Sequence, residues 1–251
     1  MRLEISENIT RKYRLVNYHF SLIVFVVAIS VMGIMIISSA NEAYRNKQIL
    51  GLILGLVAMT VVSLMDYNYV LNFSWIIYGF GLVLLGLIFI FGDDVGGATR
   101  WVDLGFIKFQ PSELVKIIMI LFLAEFLTKN TEKLNTPKGF ITTAALIFLP
   151  ILLILKQPDL STSIVLFTVC TLLMYLAGLS YRIITPILAV GVPAFAVIFR
   201  AIIQPNQTII SNYQWLRIVS WLHPEDYPQS AYQQQNSITA VGSGRLLGKG
   251  L

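Results

Sequence analysis

Seven apolar blocks of roughly membrane-spanning length constrain this chain more than any other feature. They run over about Tyr18–Ala40, Gln48–Leu64, Phe73–Phe91, Ser112–Leu127, Phe140–Leu155, Thr162–Leu179 and Ile183–Ile203. At 1.5 Å per helical residue, a block of about 20 residues matches the ~30 Å hydrocarbon core of a bilayer. In lipid each segment satisfies its own backbone hydrogen bonds, so each block is expected to be a helix. Composition agrees: of 251 residues, 56% are hydrophobic and 12% charged, about half the charged share of a soluble domain. The expected fold class is an all-α polytopic membrane protein. The whole of 1–251 is read as a single transmembrane domain, with 204–251 an extracellular loop and the start of the next segment.

The net charge of +5 calls for no nucleic-acid partner. Arg11, Lys12 and Arg14 precede the first block, and Lys129, Lys133 and Lys138 share one short loop. Both clusters suit the cytoplasmic face under the positive-inside rule, which puts the N-terminus inside. The first block is too long for a cleavable signal peptide, and no small-residue cleavage site precedes the next span. Cys170 is the only cysteine and lies in an apolar run, so it is read as a packing residue.

The segments assigned to the outer face are the unusual ones. "GATRWVDLGFIKFQPSELVKI" places Arg100, Asp103, Lys108, Glu113 and Lys116 between and inside two apolar blocks. The alternation from Trp101 to Phe109 suggests a short hairpin or re-entrant turn. Pro111 fits the first position of a helix, and Glu113 falls in the first turn, where the helix dipole favours a carboxylate. Lys116 is three residues on and shares its face. A charge in hydrocarbon costs about 2.5–3.5 kcal/mol on insertion scales, so the pair should face other helices or a polar cavity. Two readings stay open: an ion pair that docks the helix, or part of a cavity for a charged, lipid-linked substrate with Arg100 as phosphate donor.

"KQPDLSTS" (Lys156–Ser163) divides in the same way. Pro158 ends one helix; either Asp159 or Ser161 caps the next, or Lys156 and Asp159 join the outer polar cluster. Near the end, Glu225 and Asp226 stand between Pro224 and Pro228. "GSGRLLGKG" matches neither a P-loop nor a dinucleotide fingerprint, and its glycines read as a close-packed turn. Asp93 and Asp94 lack supporting metal ligands.

Three stretches, "GATRWVDLGFIKFQPSELVKI", "KQPDLSTS" and "YQQQNSITAVGSGRLLGKG", resemble in order and spacing the signature segments of the SEDS family, whose members include RodA, FtsW and SpoVE. The resemblance implies a peptidoglycan glycosyltransferase of the bacterial cytoplasmic membrane. It would polymerise lipid II, an undecaprenyl-pyrophosphate-linked disaccharide peptide, during cell-wall synthesis for shape, division or sporulation. Its partners would be a class B penicillin-binding protein and membrane lipids. A lipid II transporter (flippase) and a non-catalytic scaffold for that penicillin-binding protein are the competing functions.

The resemblance also implies a site. Arg100, Glu113, Lys116 and Asp159 match family polar positions, and the motifs add Gln110, Ser112 and Lys249 as substrate-binding residues. The family's general base lies in a segment shaped like "DPxxDP", which here reads "HPEDYP". His223 and Tyr227 stand at the two Asp positions, so Asp226, one residue early, is the expected base and Glu225 the reserve. No cofactor is fixed by the motifs; a divalent cation, Mg or Mn, is the one the chemistry would accept. Ser161 and Arg245 replace family glycines, and Asn236 replaces a Gln. The family has about ten spans. The chain therefore reads as the N-terminal portion of such a fold, weakly active or inactive by itself.

Overall fold

The computed structural model describes residues 19–94, 99–103, 108–245 and 248. The basic residues Arg11, Lys12 and Arg14 and the candidate Lys249 lie outside the described residues. Contacts gather the chain into two compact units, one covering His19–Asp66 and the other Tyr67–Arg245.

In the first unit, α1 (Phe20–Ala40) and α2 (Arg45–Leu64) are joined by a 3-10 turn, Glu42–Tyr44. Asn41 caps that turn, its side-chain oxygen accepting from the Ala43 N–H at 3.0 Å. Neither helix buries a residue. A cavity of about 380 Å³ between them is lined by small and apolar residues, including Ser30, Gly33, Gly51 and Gly55.

The second unit holds α3 (Tyr67–Asn72), α4 (Ser74–Phe91), a three-stranded antiparallel sheet, α5 (Pro111–Lys129), α6 (Thr131–Leu134), α7 (Pro137–Lys156), α8 (Leu160–Leu176), α9 (Tyr181–Ile203), α10 (Asn212–Leu222) and α11 (Pro228–Gly244). The sheet runs β1 (Asp93–Asp94), β2 (Thr99–Asp103), β3 (Lys108–Phe109), in that order. Val102 pairs with Phe109 and Asp103 with Lys108, so the hairpin expected across Trp101–Phe109 is present.

Helices α4, α5, α7 and α8 form the core. Buried positions on α5 are Ser112, Val115, Met119 and Phe122, a helical-period stripe. It packs with Leu85 of α4, Ile147, Ile151 and Ile154 of α7, and Leu166 and Cys170 of α8. Lipid is as apolar as leucine, so packing and a few interhelical hydrogen bonds hold such a bundle together. Tyr78 supplies one: its ring stacks on Phe122 at 4.4 Å and its hydroxyl donates to the Leu146 carbonyl at 2.9 Å.

Local signals fix the helix ends. Pro111 and Pro137 occupy first turns, and Thr136 caps α7 by accepting from the Gly139 N–H at 3.1 Å. Gly139 is required there, because an added Cβ would stand 1.9 Å from the Lys133 carbonyl oxygen. Gly178 ends α8 at φ +90°, in the left-handed region open to glycine. Asn135 then ties the two turns at this end together, donating to the Gly178 carbonyl at 3.0 Å and accepting from the Ser180 N–H at 2.7 Å.

Each of the seven expected blocks is a helix, with ends shifted by a few residues. Among the described residues, five helical stretches are long and apolar enough to cross a membrane: Phe20–Ala40, Glu42–Leu64, Ser74–Phe91, Pro137–Lys156 and Tyr181–Ile203. Helix α5 carries Glu113, Lys116, Glu125 and Lys129, and α8 has 17 residues. Two details differ from expectation. The stretch after Ile203 is largely helical, because Ser211 and Gln214 form a capping box that starts α10 and Pro228 sits in the first turn of α11. Gly242 and Gly244 close α11 with nothing within 4 Å of where a Cβ would lie, so they are not a close-packed turn.

Candidate functional site

One end of the four-helix core gathers the polar residues. Chain alternation brings there the C-terminal end of α4, the hairpin, the N-terminus of α5, the C-terminus of α7 and the N-terminus of α8. Asp159 is the hub. It is the N-cap of α8, with Oδ1 accepting from the Thr162 N–H at 3.2 Å and the Ser161 hydroxyl at 3.1 Å. Its Oδ2 accepts from the Thr162 hydroxyl at 2.9 Å and from the Gln110 side-chain amide at 3.0 Å. The Gln110 amide also reaches the Ser112 hydroxyl at 3.0 Å. Asp159 is thus both the cap and a member of the polar cluster, whereas Lys156, the other residue expected in it, is exposed and makes no hydrogen bond or ion pair with it among the described residues.

Arg100, carried in by β2, closes this cluster. Its Nη1 lies 3.7 Å from Asp159 Oδ1, its Nε donates to the Gln157 carbonyl at 3.3 Å, and its Nη2 donates to the Pro158 carbonyl. The two side chains are only 14% and 3% exposed. All three guanidinium nitrogens thus face acceptors of the α7–α8 turn. Gln157 is itself buried, and its side-chain amide donates to the Leu85 carbonyl of α4 at 3.0 Å. The hairpin, α4, α5 and the α7–α8 turn are fastened through these few groups.

Glu113 and Lys116 lie elsewhere on α5. They pair with each other at 2.9 Å, with side chains 57% and 28% exposed. Ser112, Val115 and Met119 point into the core, whereas Glu113 shares its face with the exposed Ile117 and Ile120. The structure thus brings Arg100, Gln110, Ser112 and Asp159 together, and sets Glu113 with Lys116 on the outward side of the same helix end.

Helix α10 extends the site. The Tyr213 ring has the Arg100 guanidinium 5.6 Å from its centroid and the Arg217 guanidinium 4.6 Å away. The far end of α10 carries the acidic turn. His223 caps it, the Asp226 N–H donates to the His223 carbonyl at 3.2 Å, and both Glu225 and Asp226 are exposed. Nine residues of helix separate Tyr213 from Leu222, about 14 Å, so Asp226 does not join the Arg100 cluster. Tyr227 packs edge-on against Trp215 with ring centroids 5.7 Å apart.

Among the described residues no three His, Cys, Asp or Glu side chains converge as a metal site would require. The Asp159 oxygens are already engaged by Gln110, Ser161 and Thr162, so the Arg100 cluster does not fit a divalent cation. Sequence reasoning missed Gln157, Tyr213 and Arg217. The signal for the last two was available: "SNYQWLR" contains a capping box and an aromatic–Arg pair at i, i+4.

Long apolar helices bundled around a buried polar cluster at one end are the architecture of an integral membrane protein. The family model for FtsW, RodA and SpoVE, described as "cell cycle protein", matches residues 11–251, and the chain belongs to that family of bacterial membrane proteins. It is similar to the "probable peptidoglycan glycosyltransferase FtsW" of Wigglesworthia glossinidia brevipalpis, at 28% identity over 247 residues, covering 93% of this chain and 62% of that protein. The "peptidoglycan glycosyltransferase MrdB" of Escherichia coli K12 is 32% identical over 234 residues, covering 92% and 61%. Among solved structures, a peptidoglycan synthase complex described as coordinating polymerization and crosslinking matches with a TM-score of 0.73 at 27% identity, over 89% of this chain and 65% of that one. The Thermus thermophilus rod shape determining protein RodA matches with a TM-score of 0.63 at 28% identity, over 73% and 60%. The chain thus spans about three-fifths of the length of these relatives.

Proposed function

We propose that this chain acts as a peptidoglycan glycosyltransferase that polymerises lipid II in the bacterial cytoplasmic membrane alongside a class B penicillin-binding protein. The observation that carries the reading is the cluster of Arg100, Gln110, Ser112 and Asp159, motif residues of a family whose named relatives are peptidoglycan glycosyltransferases, with Gln110 and Arg100 drawn from 49 and 59 residues away in sequence onto Asp159. Lys129, Lys133 and Lys138 lie at the opposite end of the core, in or beside α6. The positive-inside rule then turns the cluster outward and leaves the N-terminus cytoplasmic.

In this reaction a hydroxyl of the acceptor sugar attacks the anomeric carbon of the donor. The new C–O bond forms as the bond from that carbon to the diphosphate breaks. The hydroxyl proton passes to a carboxylate, and the polyprenyl diphosphate leaves with the electron pair. Asp226 is the proposed base and Glu225 its reserve. Both are exposed on a turn held by α10 and α11. Lys116, paired with Glu113 on the outward face of α5, and Lys249 are proposed to meet the substrate's anionic groups. Arg100, Gln110, Ser112 and Asp159 give that surface its shape.

One observation favours a second reading, a non-catalytic scaffold for the penicillin-binding protein. The residue at the family's base position is Tyr227, and it is used in packing against Trp215. Purified full-length protein incubated with lipid II and its penicillin-binding partner separates the readings. Glycan strands on a gel support the polymerase, and loss of strands with Asp226→Ala supports the base. Unchanged polymerisation with both Asp226→Ala and Glu225→Ala removes the base assignment. Partner binding without polymer supports the scaffold, and lipid II crossing vesicles without polymer supports a transporter.

A further inference from the structure

We propose that Arg217 grips the diphosphate of the lipid-linked donor, with Tyr213 as its positioning residue. The inference rests on the glycosyltransferase reading and adds a substrate contact to it. Of the two guanidiniums at the Tyr213 ring, Arg100 has each nitrogen turned to an acceptor of the α7–α8 turn and is largely buried. Arg217 is exposed, and no described carboxylate lies within ion-pair distance of it. Its N–H donors are free to take phosphate oxygens, in the forked geometry that suits them.

Its placement supports the assignment. Tyr213, Arg217 and Trp221 recur at i, i+4 and i+8, so they form one stripe along α10. Trp221 is exposed, an amphipathic ring of the kind that sits at a membrane interface. A cation between two aromatic rings suits a ligand with an anionic head and an isoprenoid tail. Arg217 also lies between the Arg100 cluster at the start of α10 and the acidic turn beyond Leu222, roughly 8 Å of helix further on. Stacking on Tyr213 fixes the Arg217 side chain before the ligand arrives, so less rotamer freedom is lost on binding.

The test uses full-length protein in detergent, with undecaprenyl diphosphate, undecaprenol and phosphatidylglycerol as separate probes. Arg217→Gln and Arg217→Ala should each weaken undecaprenyl diphosphate binding by about tenfold or more, the loss of a charge-assisted contact. They should leave undecaprenol binding unchanged and raise the KM for lipid II more than they lower kcat. Arg217→Lys should recover part of the affinity, and Tyr213→Leu should weaken it several-fold. Thermal melts of the variants identify any that fail to fold, and the Lys and Gln variants keep the side-chain stem. Undecaprenyl diphosphate affinity within twofold of wild type in Arg217→Gln overturns the proposal. So does equal weakening toward phosphatidylglycerol, which makes Arg217 a general headgroup contact. Wild-type protein that binds the diphosphate no better than undecaprenol overturns the glycosyltransferase reading itself.

Discussion

Replacing Asp159 should loosen the whole outer end of the bundle, and its size follows from the contacts it makes. Asp159→Ala removes the cap of α8, worth about 1 kcal/mol. It also leaves the half-buried Gln110 and the buried Thr162 donors short of an acceptor and takes the counter-charge from Arg100. Breaking a buried ion pair costs about 3–5 kcal/mol, but Arg100 keeps its two carbonyl acceptors, so the lower end applies. The sum is about 4 kcal/mol. Asp159→Asn keeps the cap through its one carbonyl oxygen, but it loses the charge and sets an NH2 donor where Oδ2 accepted from Gln110 and Thr162, so about 2–3 kcal/mol is expected. For a chain of this size about 4 kcal/mol lowers the unfolding midpoint by roughly 10 °C. Thermal unfolding of the full-length protein in detergent, followed by circular dichroism, measures both variants. An Asp159→Ala midpoint within 2 °C of wild type, a margin of under about 1 kcal/mol, would refute the claim that Asp159 is the hub of this end.

Three further perturbations separate structural from functional contacts. Glu113→Gln with Lys116→Met breaks an exposed pair worth about 0.2–1 kcal/mol; stability should hardly change while lipid II polymerisation falls at least tenfold, and unchanged turnover would return the pair to a docking role. Gly139→Ala forces a Cβ against the Lys133 carbonyl and should cost about 2 kcal/mol, read as a lowered melting midpoint and faster proteolysis at the α6–α7 turn; a wild-type melt would contradict the close approach. Tyr78→Phe removes only the hydroxyl bonded to the Leu146 carbonyl and should cost about 1 kcal/mol, measured by SDS-induced unfolding in mixed micelles.

The helices were legible because lipid demands long apolar runs, although α5 carries four charged residues and α8 has only 17 residues, so apolarity and length alone mark five of the seven as spans. The hairpin, the position of Pro111 and the capping by Asp159 were legible from local chemistry. The division of the charged residues was not. Arg100 and Glu113 look alike in sequence, each a charge beside an apolar block. Only packing shows that Arg100 turns into the α7–α8 turn while Glu113 faces outward from α5. Gln157 was missed because a buried amide that fastens a turn to the Leu85 carbonyl has no local pattern. The stretch after Ile203 was read as a loop because its apolar runs are short. An amphipathic helix such as α10 needs only one apolar face, and its capping box was the better guide.

The account stands on a lipid-linked diphosphate being received at the Arg100–Asp159 end of the core. Photocrosslinking measures this directly: a photoreactive lipid II analogue is irradiated with the full-length protein in its membrane, and the adducts are mapped by mass spectrometry. Adducts concentrated in residues 99–116 and 212–228, displaced by unlabelled lipid II, are the expected result. Adducts confined to the cavity between α1 and α2, or spread evenly over lipid-facing helices and not displaced, would contradict it.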